Sequence, residues 1–269
     1  MEQFNERYGP WALVTGASSG IGAEFARQLA ARGLNVALVA RRRERLGDLA
    51  AELEPAHGIA TRIIVADLAR EDFLPEIRAG LGDVDVGLLI NNAGFGNTGN
   101  LLDNDLAREL ELLHVNCRAV LMLAHEIGRH LRARGRGGMI FVSSTVGFTP
   151  TPIWSNYSAS KAYDLFLGEG LAAELGPSGV DVLTVCPGAT RTEFQVQAAL
   201  DERVLPGPMR ALVFMSPEAV VRGTLDALGR KRTHVPGWLN ALTVFSGRLM
   251  PRRVNSRISG LAIGSLHRA

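Results

Sequence analysis

Tyr157 and Lys161 stand four residues apart in Tyr157-Ser158-Ala159-Ser160-Lys161, a spacing that puts a phenol and an amine on one face of a helix. A phenol at its ordinary value of about 10 is a poor base at neutral pH, whereas a neighbouring ammonium favours the phenolate and lowers that value. The pair is a candidate proton donor and acceptor. Lysine usage sharpens this reading, because the chain has 29 basic residues and only Lys161 and Lys231 are lysine; an arginine-rich protein keeps a compact, tunable ammonium at this position. Ser144, thirteen residues before Tyr157, closes the apolar run Met139-Ile140-Phe141-Val142 and offers a hydroxyl to a carbonyl oxygen. Its competing role is a turn-forming serine, a role assigned to Ser143. Asn116 lies in the stripe Leu112-Leu113, Asn116, Val120, where a polar side chain on a buried helix face needs partners. Those partners are either backbone and a water or purely structural groups.

These residues need a frame. Short, continuous, β-branched runs at Trp11–Thr15, Asn35–Ala40, Thr61–Ala66, Val86–Asn91, Gly138–Ser143 and Val180–Cys186 alternate with helical patterns near Ile21–Arg32, Arg42–Glu54, Asp105–Arg134 and Tyr157–Leu175. Strands that do not alternate in polarity are covered on both faces, so the expectation is an α/β fold: a doubly wound parallel sheet with helices on both faces, built as one Rossmann-type domain over 1–269. After the first strand comes Thr15-Gly16-Ala17-Ser18-Ser19-Gly20-Ile21-Gly22. Glycines so spaced let the backbone approach a pyrophosphate at a helix N-terminus; a Gly-rich turn that only packs helix on strand is the bland alternative. Position favours the first reading. The second strand ends about 20 residues on at Val39-Ala40-Arg41-Arg42-Arg43, without the acidic residue that holds a ribose 2′-hydroxyl and with Arg41 first in line for a 2′-phosphate. NADP(H) is the expected cofactor. Arg43 reads as the start of a solvated helix, and Arg42 fits either role. Two more strand ends carry polar groups, Asp67, placed to accept from an adenine amino group, and Asn91-Asn92-Ala93-Gly94, where Asn91 equally suits a turn.

Composition excludes several classes. With 269 residues, 46% of them apolar, the chain builds a core without staples. Cys117 and Cys186 lie in apolar stretches away from any second cysteine or histidine cluster, so neither a disulfide framework nor a metal site is expected. The N-terminus lacks a signal-peptide pattern and no apolar run reaches membrane-spanning length, so the expected location is cytoplasmic. Charge is uneven: residues 227–269 hold eight of the 29 basic residues and none of the 27 acidic ones. Such a basic extension suits an anionic partner, but no nucleic-acid-binding motif accompanies it. Within it Leu239, Leu242, Phe245 and Leu249 recur at helical spacing, followed by Pro251-Arg252-Arg253. That pattern fits peripheral contact with a membrane, an anionic carrier, a subunit interface or a helix covering the site.

Taken together, Thr15-Gly-x-x-x-Gly-Ile-Gly22, Asp67, Asn91-Asn-Ala-Gly94, Asn116, Ser144, Tyr157-x-x-x-Lys161 and Pro187-Gly188 followed by Thr192 make the chain resemble the short-chain dehydrogenase/reductase family over about residues 8–230. Tyr8–Gly22 and Leu38-Val-Ala-Arg-Arg42 look most like its branch of 3-ketoacyl reductases and 17-beta-hydroxysteroid dehydrogenases. The resemblance implies hydride transfer between a nicotinamide and a carbonyl or alcohol carbon, with Asn116, Ser144, Tyr157 and Lys161 as the reacting set. Tyr157 would protonate the alkoxide, Ser144 would hold its oxygen, Lys161 would bind the nicotinamide ribose, and Asn116 would position a water. It implies cofactor contacts from Gly16, Ser18, Ser19, Gly20, Ile21, Gly22, Arg41, Asp67, Leu68, Asn92, Ala93, Gly94, Tyr157, Lys161, Pro187, Gly188, Thr190 and Thr192. Arg191 either reaches the pyrophosphate or faces solvent. Substrate choice is expected in a lid over 194–215, where Phe194, Leu200, Val204, Leu205, Leu212, Val213, Phe214 and Met215 are apolar, with Phe95, Phe148 and Trp154 as further wall. Those residues suit an apolar acyl-chain or ring substrate, although about half are expected only to pack the lid. A homodimer or homotetramer joined through Asp105–Arg134 and Tyr157–Leu175 follows the family habit. The rival reading is a non-catalytic NADP(H)-sensing or membrane-associated binding protein on the same scaffold.

Overall fold

The computed structural model describes residues 2–194 and 213–266. Seven strands, β1 (Trp11–Thr15), β2 (Asn35–Ala40), β3 (Thr61–Val65), β4 (Val86–Asn91), β5 (Gly137–Val142), β6 (Val180–Val185) and β7 (Thr233–His234), form one parallel sheet in the order β3-β2-β1-β4-β5-β6-β7. The helices are α1 (Glu2–Tyr8), α2 (Gly20–Ala30), α3 (Arg43–His57), α4 (Phe73–Leu81), α5 (Leu106–Leu113), α6 (Val120–Arg134), α7 (Ser155–Leu175), α8 (Pro217–Ala227), α9 (Trp238–Leu249) and α10 (Arg252–Leu266). This is the single doubly wound α/β domain that the alternation of apolar runs and helical patterns predicts.

The period of the strands divides the core in two. Val14, Leu38, Ile90, Ile140 and Leu183 point to one face and pack with Phe25, Leu29, Leu46, Leu53 and Val221 of α2, α3 and α8. Leu13, Val39, Leu89, Met139 and Phe141 point to the other and pack with Phe73, Ile77, Leu123, Ile127 and Leu131 of α4 and α6. Every residue of β4 and β5 is buried, which is why these strands read as unbroken apolar runs. Strand order reverses between β1 and β4, and the crevice beyond their carboxyl ends is the place where such a sheet binds ligands.

Three features differ from the sequence reading. The expected helix Asp105–Arg134 is interrupted by a π-helical turn, His114–Ala119, between α5 and α6; the extra residue in the turn rotates the stripe and buries Asn116 fully. Helices α1, α4, α8 and α10 and the short edge strand β7 are further elements that the sequence reading did not include. Leu200, Val204, Leu205 and Leu212 of the expected lid lie outside the described residues; Phe194, Val213, Phe214 and Met215 lie within them, and Phe214 is core. Among the described residues no helix is long and apolar enough to cross a membrane, and no acid, histidine and cysteine cluster suits a metal.

Candidate functional site

A cavity of about 560 Å³ runs along the carboxyl end of the sheet, from Arg41 and Arg42 after β2 to Tyr157 on α7. Its near end is the turn between β1 and α2. Gly16 and Gly20 have φ of 66° and 54°, values that glycine adopts without strain. A Cβ on Gly22 would lie 2.2 Å from the Gly16 carbonyl oxygen, so the third glycine lets the helix pack on the loop. Ser19 caps α2 without a side-chain bond, leaving the first-turn N–H groups to the crevice. The Thr15 hydroxyl accepts from the N–H groups of Asn92 and Ala93, each at 3.0 Å, and Asn92 Nδ2 donates to the Thr15 carbonyl at 2.8 Å. These bonds fasten the loop after β4 to the glycine turn.

Arg42 lies across that turn. Its guanidinium donates to the Ser18 hydroxyl at 3.0 Å and the Ser19 hydroxyl at 2.9 Å, and pairs with Glu193 at 3.0 Å. Glu193 also pairs with Arg45, and both arginines hold its carboxyl below the usual range. Arg41 lines the cavity too and reaches Glu111 at 3.6 Å. Asp67 and Leu68 form the wall beyond β3, and Asp67 accepts from the Ala69 N–H at 3.1 Å.

At the far end β5 delivers Ser144 and α7 delivers Tyr157 and Lys161. Ser144 starts the short 3₁₀ turn Thr145–Phe148, accepting from the Val146 N–H at 3.3 Å and donating to the Pro187 carbonyl at 3.4 Å. Ser143 is structural: its hydroxyl donates to the Lys161 carbonyl at 2.6 Å. The Lys161 ammonium donates to the Val142 carbonyl and to Asp164 Oδ2, both at 2.9 Å, inside a buried environment. Tyr157 packs edge-on against Trp154 with ring centroids 5.4 Å apart and lies 5.5 Å from Phe194.

Two opposing effects act on the phenol at this end. Burial pushes the Tyr157 phenol above its ordinary value, and the Lys161 ammonium and Ser144 hydroxyl pull it back only in part. Lys161 therefore lowers the phenol relative to its own absence, not below the ordinary value. Burial alone would lower Lys161, but Asp164 and Tyr157 outweigh it and hold the ammonium protonated above its usual range.

The cavity brings together Gly16, Ser18, Ser19, Gly20, Ile21, Arg41, Asp67, Leu68, Asn92, Ala93, Gly94, Ser144, Tyr157, Lys161, Pro187, Gly188, Thr190 and Thr192. Gly22 stands behind the turn. Asn116 does not line it: its amide donates to the Phe95 carbonyl and Ser160 hydroxyl, both at 3.0 Å, and accepts from the Phe95 N–H at 3.1 Å. Both of its amide hydrogens are committed to protein partners, while its carbonyl oxygen keeps one lone pair. Phe95 and Trp154 form cavity wall, whereas Phe148 lies under the Arg248 guanidinium beside a separate depression. Sequence reasoning missed Glu111, Val115, Val146 and Glu193, which line the cavity, and Asp164, whose only signal was a charge seven residues after Tyr157 on the same helical face.

Comparison with known proteins places this chain among short-chain dehydrogenases. The family pattern described as short chain dehydrogenase matches residues 10–203. A very-long-chain 3-oxoacyl-CoA reductase of Anas platyrhynchos is 38% identical over 226 residues, covering 82% of this chain and 69% of the relative. A 7beta-hydroxysteroid dehydrogenase of Clostridium sardiniense is 32% identical over 249 residues, covering 93% and 94%. Among solved structures, one of a 7beta-hydroxysteroid dehydrogenase superposes with a TM-score of 0.88 at 28% identity, covering 95% of this chain and 98% of the other. A short-chain dehydrogenase from Sphingobium yanoikuyae in complex with NADPH superposes with a TM-score of 0.77 at 36% identity, covering 90% and 95%.

Proposed function

The chain belongs to the short-chain dehydrogenase/reductase family, a family of oxidoreductases, in its branch of 3-ketoacyl reductases and hydroxysteroid dehydrogenases, and on that basis we propose that it is an NADP(H)-dependent reductase of apolar ketones or dehydrogenase of the matching alcohols. One observation carries the reading: Ser144, Tyr157 and Lys161 line the same crevice as the glycine turn and two arginines.

The residues present fit a phosphorylated dinucleotide. The close-packed glycine turn and the open N-terminus of α2 suit a pyrophosphate, and Arg41 and Arg42 suit a 2′-phosphate. Asp67 and Leu68 would flank the adenine, while Asn92–Gly94, Pro187, Gly188, Thr190 and Thr192 would line the nicotinamide half. When bound, the nicotinamide supplies or accepts the hydride at the substrate carbon. The chain's own part is protonic and electrostatic. Ser144 Oγ, on releasing the Pro187 carbonyl, donates to the substrate oxygen, and Tyr157 Oη delivers a proton to the alkoxide or removes it from the alcohol. Lys161 has one N–H left after Val142 and Asp164 to offer a ribose hydroxyl. Asn116 supports this set by holding the Phe95 backbone against α7. A buried phenol, raised above its ordinary value, stays protonated at neutral pH and suits the reductive direction. Phe95, Val146, Trp154 and Phe194 make the substrate end apolar, which supports an acyl-chain or ring compound.

The test is oxidation of NADPH, with NADH in parallel, across ketones graded by chain length and ring content. Tyr157→Phe is expected to bind NADPH as the parent does and to lose turnover by several orders of magnitude. NADPH binding without turnover on any ketone or aldehyde would transfer the reading to a cofactor-sensing protein. Outside the site, exposed Phe166 on α7 and Leu121 on α6 support self-association through those helices. Exposed Trp238, Leu242, Phe245 and Leu249 on α9 and Val254 and Ile258 on α10, interleaved with Arg248, Arg252, Arg253 and Arg257, support contact of the basic extension with an anionic lipid surface.

A further inference from the structure

Asp164 is 2% exposed, yet it carries a carboxylate into the middle of the fold directly behind the reacting pair. It lies three residues after Lys161 and seven after Tyr157, so all three side chains occupy one stripe of α7. Asp164 Oδ2 accepts from the Lys161 ammonium at 2.9 Å, while Oδ1 is buried without a hydrogen-bond partner. A buried carboxylate half satisfied in this way is costly to keep, and leucine or valine would fill a helix–sheet interface without that cost.

We propose that Asp164 is a positioning residue: it clamps the Lys161 ammonium against the Val142 carbonyl and governs how much of that positive charge reaches the Tyr157 hydroxyl. The inference rests on the oxidoreductase reading above. An ammonium has three donors; Val142 and Asp164 take two, and the third is thereby aimed into the cavity that Lys161 lines. A buried lysine without an anion tends to give up its proton, and Asp164 opposes this. The same anion lies close enough to Tyr157 to disfavour its phenolate. Other titratable groups facing the cluster are the Cys117 thiol of the π-helical turn, the Cys186 thiol after β6, and Tyr163 on α7 itself. Burial pushes both thiols up to about 12 and raises Tyr163, so all three are neutral at neutral pH. Lys161 is the only cation acting on the Asp164 carboxyl among the described residues. Removing that negative charge lowers the proton affinity of the Tyr157–Lys161 pair as a unit, whichever group releases the proton.

The experiment compares the parent with Asp164→Asn and Asp164→Glu by two readouts. The first is the pH dependence of kcat/KM for alcohol oxidation. The second is the ultraviolet titration of tyrosinate, where a Tyr157→Phe background subtracts the other two of the chain's three tyrosines. Asp164→Asn is expected to move both midpoints down by about one to three pH units and to lower kcat more than it raises KM; Asp164→Glu is expected to restore the parent midpoints. If Asp164→Asn does not fold, Asp164→Val is read the same way. Midpoints equal to the parent's in a folded, uncharged variant would overturn the inference, since a purely structural role changes stability and leaves titration alone. The tyrosinate readout needs no turnover, so an inactive parent would defeat the functional reading while Asp164 is still judged by spectroscopy.

Discussion

Arg42→Ala isolates the contribution that the proposed NADP(H) preference draws from the glycine turn. The Arg42 guanidinium already lies within hydrogen-bond distance of Ser18 and Ser19, at the lip of the pyrophosphate cradle, so a 2′-phosphate arriving there meets a donor that needs little reorganisation. A charge-assisted hydrogen bond contributes about 1.5–3 kcal/mol. Against it stands the ion pair with Glu193, which the phosphate must displace; its partners are about two-fifths exposed, and such pairs contribute about 0–1 kcal/mol. The difference, about 0.5–3 kcal/mol, corresponds to a loss of roughly two- to 150-fold in NADPH affinity. NADH lacks the phosphate and its affinity should change by less than about a factor of two. Fluorescence titration of both dinucleotides at fixed ionic strength reads these numbers, and added salt should shrink the gap between them. Arg41→Ala should show the smaller effect, because Glu111 lies against that side chain and the guanidinium is more exposed. Equal weakening of NADPH and NADH in Arg42→Ala would refute the reasoning, and so would a double variant that keeps the parent's preference.

Two glycines give opposite expectations under the same substitution. Gly22→Ala forces a Cβ to within 2.2 Å of the Gly16 carbonyl oxygen and 2.5 Å of Asn92 Nδ2, so it should cost about 1–3 kcal/mol of stability and weaken NADPH binding. Gly47→Ala meets nothing within 4 Å inside α3 and should stabilise by about 0.5–1 kcal/mol. Thermal unfolding compares the pair; a lower Tm for Gly47→Ala would contradict the helix-propensity argument, and parent-like binding by Gly22→Ala would contradict the packing one. For the basic extension, sedimentation with phosphatidylserine vesicles at low salt should carry the protein down, and replacing Arg248, Arg252, Arg253 and Arg257 by serine should weaken binding by about 1 kcal/mol per residue. Absence of binding at low salt would assign the exposed stripe of α9 and α10 to contact between subunits instead.

What could be read in the sequence divides along a physical line. Strands β1, β2 and β4 were legible because a strand covered on both faces must be apolar throughout, and their bounds match the structure residue for residue. The glycine turn was legible because positive φ and a Cβ-free approach restrict residue type at a fixed position. These are local constraints, satisfied within a few residues of where they are written. The features that escaped notice are matches between distant elements. Glu193 looks like an ordinary surface acid until the chain after β6 brings it back over Arg42, 151 residues away. Asn116 shows no partner in the sequence, and the structure sets its amide on the Phe95 backbone, 21 residues away. Asp164 is the sharpest case. A carboxylate in a helix is most simply read as a solvated charge, and only the packing of α7 against β5 and β6 turns its face inward. The motif Tyr157-x-x-x-Lys161 announces a phenol and an amine but not their proton affinities, because those depend on the desolvation and counter-charge that the rest of the fold supplies. Residue type and spacing therefore identify the candidate reacting groups, and the long-range packing around α7 sets their protonation state.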